Sequence, residues 1–246
     1  MLSNNYIQIN TVVEFLLNAK NSWPKKIALT HGKKSITFNH FFLKVTQRTN
    51  RLIEIGVKSG DRIAVCMDKS IDQAVNIFSI ICSNAIFVPV LPKLKSNTIK
   101  HIIKDCEVKF IVTDDHRLNE VKTITNKSKI IIGTEFSDTN YLNLCDANKN
   151  LNNEINFNLL SNDLAAIIYS SGSTGMPKGI MIPHKSLYDG TRIVSSYLKT
   201  NHNEQIAGIL SLNFDYGLNQ LWQTFYKGCT LNLHEFLFVQ DFFNFL

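Results

Sequence analysis

Over the first half of the chain, short apolar runs alternate with stretches whose apolar residues recur at helical spacing. Phe41, Phe42, Val45, Thr49, Leu52 and Ile53 predict a helix with Asn39 as its cap and Gly56 as its terminator. After the Ser59-Gly60-Asp61 turn, residues 63–66 read as a strand. Ser70 then caps a helix through Ile71, Ala74, Val75, Phe78 and Ile81. Residues 87–90 read as a strand, and Ser96 opens a helix through Ile99, Ile102 and Ile103. Residues 110–112 and 130–132 add two further strands.

This alternation predicts an α/β fold, a parallel sheet with right-handed crossovers and helices on both faces. The turn Met67-Asp68-Lys69-Ser70 holds no glycine, so a dinucleotide pyrophosphate has no close approach there and the sheet reads as scaffold. Residues 137–159 are Asn-rich and weakly periodic, which predicts a long connection between two sub-parts, 1–136 and 160–246.

Composition narrows the function classes. The chain has 246 residues, 44% hydrophobic and 19% charged, an ordinary globular balance. Its net charge is +6, but Lys and Arg are scattered and no basic run is interleaved with aromatics, which argues against nucleic-acid binding. Cys66, Cys82, Cys106, Cys145 and Cys229 are widely spaced with no paired motif, so they read as buried thiols in a reducing compartment. The apolar stretch at 77–91 is broken by Ser79, Ser83, Asn84 and Pro89 and predicts no membrane span. The opening residues carry no leader pattern, and the expected location is cytoplasmic. The histidines show no ligand spacing, so no protein metal site is expected.

The chemistry concentrates in residues 163–184. An apolar run ending at Tyr169 enters Ser170-Ser171-Gly172-Ser173-Thr174-Gly175-Met176-Pro177-Lys178-Gly179, and a second apolar run, Ile180-Met181-Ile182, follows before Pro183 and His184. The glycines free the backbone to present N–H groups, the hydroxyls supply neutral donors, and Lys178 supplies a point charge; together they suit a polyphosphate. A Walker A loop ends in Gly-Lys-Ser/Thr and runs straight into a helix, whereas this segment continues as a strand. A strand–loop–strand hairpin is predicted, with the loop less ordered than its flanks. The next helix carries Leu187, Thr191, Val194 and Leu198 on one face.

The run from Tyr169 to Gly179 resembles the signature of the AMP-forming adenylating superfamily, which includes acyl-CoA synthetases, peptide-synthetase adenylation domains and luciferases. Ser35-Ile36-Thr37-Phe38, the Gly60-Asp61-Arg62 turn and the strand ending Val88-Pro89-Val90 are similar to other segments of that family, with Asn84 where glycine is usual. The resemblance runs from about residue 10 to the end and implies the helix-covered, parallel-sheet subdomains of the family's large N-terminal domain.

That resemblance implies ATP-dependent activation of a carboxylic acid to an acyl-adenylate, usually followed by transfer to a thiol, coenzyme A or phosphopantetheine. It places Ser170 near Mg2+, wraps residues Ser171, Gly172, Ser173, Thr174 and Gly175 around the β- and γ-phosphates, and gives Lys178 the leaving pyrophosphate. His184 reads as structural. Asp215, after Phe214, would hold the ammonium of an amino-acid substrate, although Tyr216-Gly217 departs from that pattern; the alternative is an N-cap opening a helix over 218–225.

Several family segments have no counterpart: the adenine-binding Tyr-Gly-Pro-Thr-Glu run, the ribose-binding Arg-Thr-Gly-Asp run, and the lid with its catalytic lysine. The expectation is an incomplete N-terminal portion, inactive alone, with a separate chain as one possible source of the missing half. The contrasting class is a catalytically inactive remnant that binds phosphate ligands weakly or serves only as an interaction partner. Residues 231–246, rich in Phe, are expected to be an interrupted core segment whose removal improves solubility.

Overall fold

A computed structural model describes residues 10–125, 128–136, 138, 140–146, 159–170 and 175–234. The chain runs α1 (Val12–Ser22), β1 (Ile27–His31), β2 (Lys34–Thr37), α2 (Phe38–Glu54), β3 (Arg62–Cys66), α3 (Ile71–Cys82), β4 (Ile86–Pro89), α4 (Ser96–Asp105), β5 (Phe110–Thr113) and α5 (Leu118–Ile124). It continues through β6 (Lys129–Ile132), β7 (Leu142–Asn143), β8 (Leu164–Ser170), β9 (Lys178–Pro183), α6 (His184–Tyr197), β10 (Gln205–Gly208), α7 (Asp215–Lys227) and β11 (Thr230–Leu233).

Local chemistry explains most of these boundaries. The Ser70 hydroxyl accepts the Gln73 N–H at 3.1 Å and caps α3 as expected. At α2 the cap is Thr37, whose hydroxyl accepts the His40 N–H at 3.2 Å, so the helix starts two residues before the expected Asn39. Gly56 terminates α2 with φ +95°; its N–H reaches Ile53 and the Val57 N–H reaches Leu52, a Schellman closure. Asn84 does the same for α3 with φ +60°, which explains why a glycine-like residue is wanted there.

The strands form a seven-stranded sheet in the order β7-β6-β5-β3-β4-β8-β9, parallel except for the antiparallel β8–β9 pair. Alternation along each strand sends side chains to both faces. Ile63, Val65, Phe87 and Val112 join the core under α2 and α3, while Ala64, Val88 and Ile111 join the one under α4 and α5. The first core holds an aromatic knot in which Phe78 lies 5.1 Å from Trp222 and 4.7 Å from Phe225.

The second sheet has the order β10-β11-β1-β2. β11 lies between β1 and β10, parallel to both, with Leu231 and Leu233 buried. The expectation of an interrupted core segment over residues 231–246 is therefore corrected at 231–233, where the chain fills the centre of a sheet. Residues 235–246, with the remaining phenylalanines, lie outside the described residues.

The stretches on either side of the 137–159 connection do not form separate sheets. Phe87 of β4 pairs with Ala166 of β8, and Leu29 of β1 with Leu231 of β11. Each pairing covers a strand edge that would otherwise present unsatisfied backbone groups. Residues 147–158 of the connection lie outside the described residues. Four cysteines are buried and Cys145 is partly exposed; all five are free thiols. Among the described residues no helix is long and apolar enough to cross a membrane.

Candidate functional site

β8 runs parallel to β4, so its carboxyl end points the way the other parallel strands' carboxyl ends do, the side on which α/β sheets hold ligands. β9 returns antiparallel to it, with Tyr169 opposite Gly179 and Ser170 opposite Lys178. This is the expected strand–loop–strand hairpin, and no helix begins at Lys178. α6 starts directly after β9, at His184. The final rung thus brings together two of the predicted phosphate-binding residues, Ser170 and Lys178, both exposed. Gly175 has φ +121° with open space around it, so the backbone conformation and not crowding requires glycine. Ser171, Gly172, Ser173 and Thr174 lie outside the described residues.

Two contacts fasten this hairpin to α4. The Tyr169 hydroxyl donates to Asp105 Oδ2 at 2.5 Å and lies 3.0 Å from Cys106 Sγ. The His101 Nε2 atom sits 3.0 Å from the Pro177 carbonyl, just before Lys178. Burial, followed by the bond to Asp105, pushes the Tyr169 phenol up, so it stays a donor at neutral pH. A Cβ at Gly179 would lie 2.9 Å from Ile167 Cγ2 and 3.1 Å from Tyr169 Cζ, so the bare glycine leaves room for the tyrosine ring. His101 and Asp105 were not visible as site residues in the sequence, because their partners lie more than sixty positions away and carry no local signature.

Asp215 belongs to a different element from the hairpin. It is the first residue of α7, with Phe214 in the cap position, so the N-cap alternative is corrected by one residue. Its Oδ1 accepts the Tyr216 N–H at 2.8 Å, and the carboxylate is exposed at the helix N-terminus, where the dipole favours it. Among the described residues no hydrogen bond or ion pair joins it to β8 or β9. Gly217 is explained by packing: a Cβ there would fall 2.1 Å from the Ser211 carbonyl oxygen.

The segment leading to Asp215 is anchored by a residue the sequence did not single out. The buried Lys69 ammonium donates to the carbonyls of Gly208 (2.9 Å), Ile209 (3.0 Å) and His234 (2.5 Å), tying the β3–α3 turn to the ends of β10 and β11. Gln73 adds a bond from Nε2 to Asn213 Oδ1 at 3.2 Å.

His184 is buried, and desolvation lowers its pKa to about 4, only partly offset by Asp163. It is neutral at physiological pH and shut away from solvent, as the structural reading expects. Among the described residues no group of three His, Cys, Asp or Glu side chains could hold a metal.

Comparison with known proteins gives this geometry a family. Residues 16–243 match the family described as AMP-binding enzyme. The chain is 28% identical over 212 residues to malpibaldin synthetase of Mortierella alpina, covering 83% of this chain and 4% of that protein. It is 26% identical over 227 residues to gramicidin S synthase 2 of Brevibacillus brevis, covering 92% and 5%. Among solved structures, the O-succinylbenzoate coenzyme A synthetase of Bacillus subtilis in complex with AMP superposes with a TM-score of 0.82 at 21% identity, over 94% of this chain and 57% of that one. The chain thus spans a small fraction of these peptide synthetases and little more than half of the solved neighbour. With the match extending over residues 16–243, the chain belongs to the AMP-binding enzyme family.

Proposed function

We propose that this chain is the phosphate-gripping part of an enzyme that activates a carboxylic acid with ATP, forming an acyl-adenylate and releasing pyrophosphate. The observation that carries the reading is the pairing of Ser170 with Lys178 across the last rung of the β8–β9 hairpin. It supports a loop, residues 170–178, whose hydroxyls, N–H groups and single ammonium close around the β- and γ-phosphates. Attack of the carboxylate on the α-phosphorus spreads negative charge onto the leaving pyrophosphate, and Lys178 neutralises it. The His101 and Tyr169 contacts hold the loop's two ends in register while this happens.

Mg2+ fits this chain as a companion of the nucleotide and not as a resident of a protein cage. Among the described residues no group of three His, Cys, Asp or Glu side chains is arranged to hold a metal, and the exposed Ser170 hydroxyl is the contribution the chain would make. When bound with ATP, the ion supplies further charge neutralisation on the phosphates.

Relatives that build peptides favour an amino acid as the acid activated, and Asp215 would then meet its ammonium. The thiol acceptor would be a phosphopantetheine arm or coenzyme A. This stretch covers 57% of the solved neighbour, and we expect turnover to require counterparts of the neighbour's remaining segments as well.

The test is titration of the full chain with Mg-ATP by calorimetry. Lys178→Ala should weaken binding at least about tenfold, the scale of one charge-assisted contact. Equal binding by the variant would remove the hairpin from the nucleotide site. Carboxylate-dependent exchange of labelled pyrophosphate into ATP by the chain alone would show instead that it needs no further segment.

A further inference from the structure

A recess of about 880 Å³ opens at the N-terminal ends of β3, β5 and β6, beside the last turn of α4. Its floor is apolar, formed by Ile103, Phe110 and Ile124. Around it stand five lysines. Lys109 is committed to Asp61 at 2.5 Å, and the nearby Glu107 to Arg62 at 2.9 Å. Lys58, Lys100, Lys104 and Lys129 have no carboxylate within ion-pair distance among the described residues. The Lys129 ammonium lies 6.0 Å from the Phe110 ring centroid, so one cation sits over the floor itself.

Helix ends account for part of this charge. α2, α4 and α5 all terminate here, and each C-terminus carries about half a unit of negative charge. Three such ends balance roughly one and a half lysines, leaving more than two positive charges around an apolar floor. A volume of this size suits a small organic ligand, and the charge selects its sign. Phe110 and Ile124 are buried members of the two cores and Ile103 packs against one of them, so the apolar surface in the recess is the edge of those cores.

We propose that this recess is a second binding site, separate from the hairpin, for a small amphipathic anion. Its apolar body covers Ile103, Phe110 and Ile124, and its carboxylate, sulfate or phosphate head meets Lys58, Lys100, Lys104 and Lys129. The site depends on none of the residues assigned to ATP, so it stands or falls independently of the proposed adenylation.

The probe is monomeric octanoate, titrated into the labelled full chain and followed through the methyl signals of Ile103 and Ile124. Those signals should move saturably, and octanol, which has the same chain without the charge, should bind at least about tenfold more weakly. Lys104→Gln combined with Lys129→Gln should weaken octanoate by about tenfold, two exposed charge contacts together, while leaving Mg-ATP binding unchanged. Equal binding of octanol and octanoate, an unaffected double variant, or shifts confined to other residues would overturn the proposal. So would binding to anionic phosphatidylglycerol vesicles with no response to octanoate, which would assign the lysines to a membrane surface.

Discussion

The Tyr169 hydroxyl donates to Asp105 at 2.5 Å, and this bond clamps the carboxyl end of β8 to the last turn of α4 immediately before the segment proposed to hold phosphate. Tyr169→Phe removes the donor while keeping the ring across from Gly179. A part-exposed bond to a carboxylate contributes about 1 kcal/mol, so the urea midpoint should fall modestly. The sharper expectation is faster protease cleavage within 170–178 in the variant. Unchanged cleavage would mean that the clamp does not hold the loop.

Two glycines in helices should respond in opposite directions. Gly217→Ala drives a methyl into the Ser211 carbonyl and should destabilise by about 1–3 kcal/mol. Gly190, inside α6, has nothing within 4 Å of an added Cβ, so Gly190→Ala should stabilise by about 0.5–1 kcal/mol. Thermal or urea unfolding of both variants decides the matter, and equal effects would contradict the packing described at Ser211.

His184 makes stability depend on pH. Its folded pKa of about 4 lies below the ordinary value of 6.5, so the unfolded chain binds the proton more readily. Its contribution is complete above about pH 6.5 and is lost as the pH falls toward 4, by at most about 3 kcal/mol. Urea midpoints at pH 7.5 and pH 5 should therefore differ more in the parent chain than in His184→Phe. A difference that survives the substitution would have to come from other groups.

Lys69→Met keeps the bulk of the side chain but removes the ammonium's bonds to three carbonyls, of which Gly208 keeps the His234 N–H at 3.3 Å. Loss of about 2–4 kcal/mol is expected. Amide exchange should rise at 208–214, the segment between β10 and Asp215. Exchange that rises uniformly over the chain would count against a local anchoring role.

Ending the chain at Thr230 should harm it. Leu231 and Leu233 are buried in β11, between β1 and β10, and their removal opens two strand edges at once. Sedimentation of the shortened chain should show more association than the full chain. A more monomeric short form would contradict the structural role of β11.

Much of this molecule was legible residue by residue. The Ser70 cap, the Gly56 terminator, the parallel strands and the β8–β9 hairpin each depend on chemistry within a few positions, which a sequence displays directly. The Tyr169–Gly179 run displayed its family for the same reason. Other features depend on partners far apart in the chain. Asp105 meets Tyr169, Lys69 meets Gly208 and His234, and β11 enters beside β1, because strand edges and buried polar groups must find partners wherever the fold brings them. The lysine-lined recess belongs to this second class as well: Lys58, Lys104 and Lys129 are scattered in sequence, and only the packing of α4 and α5 against the sheet gathers their charges over one apolar floor.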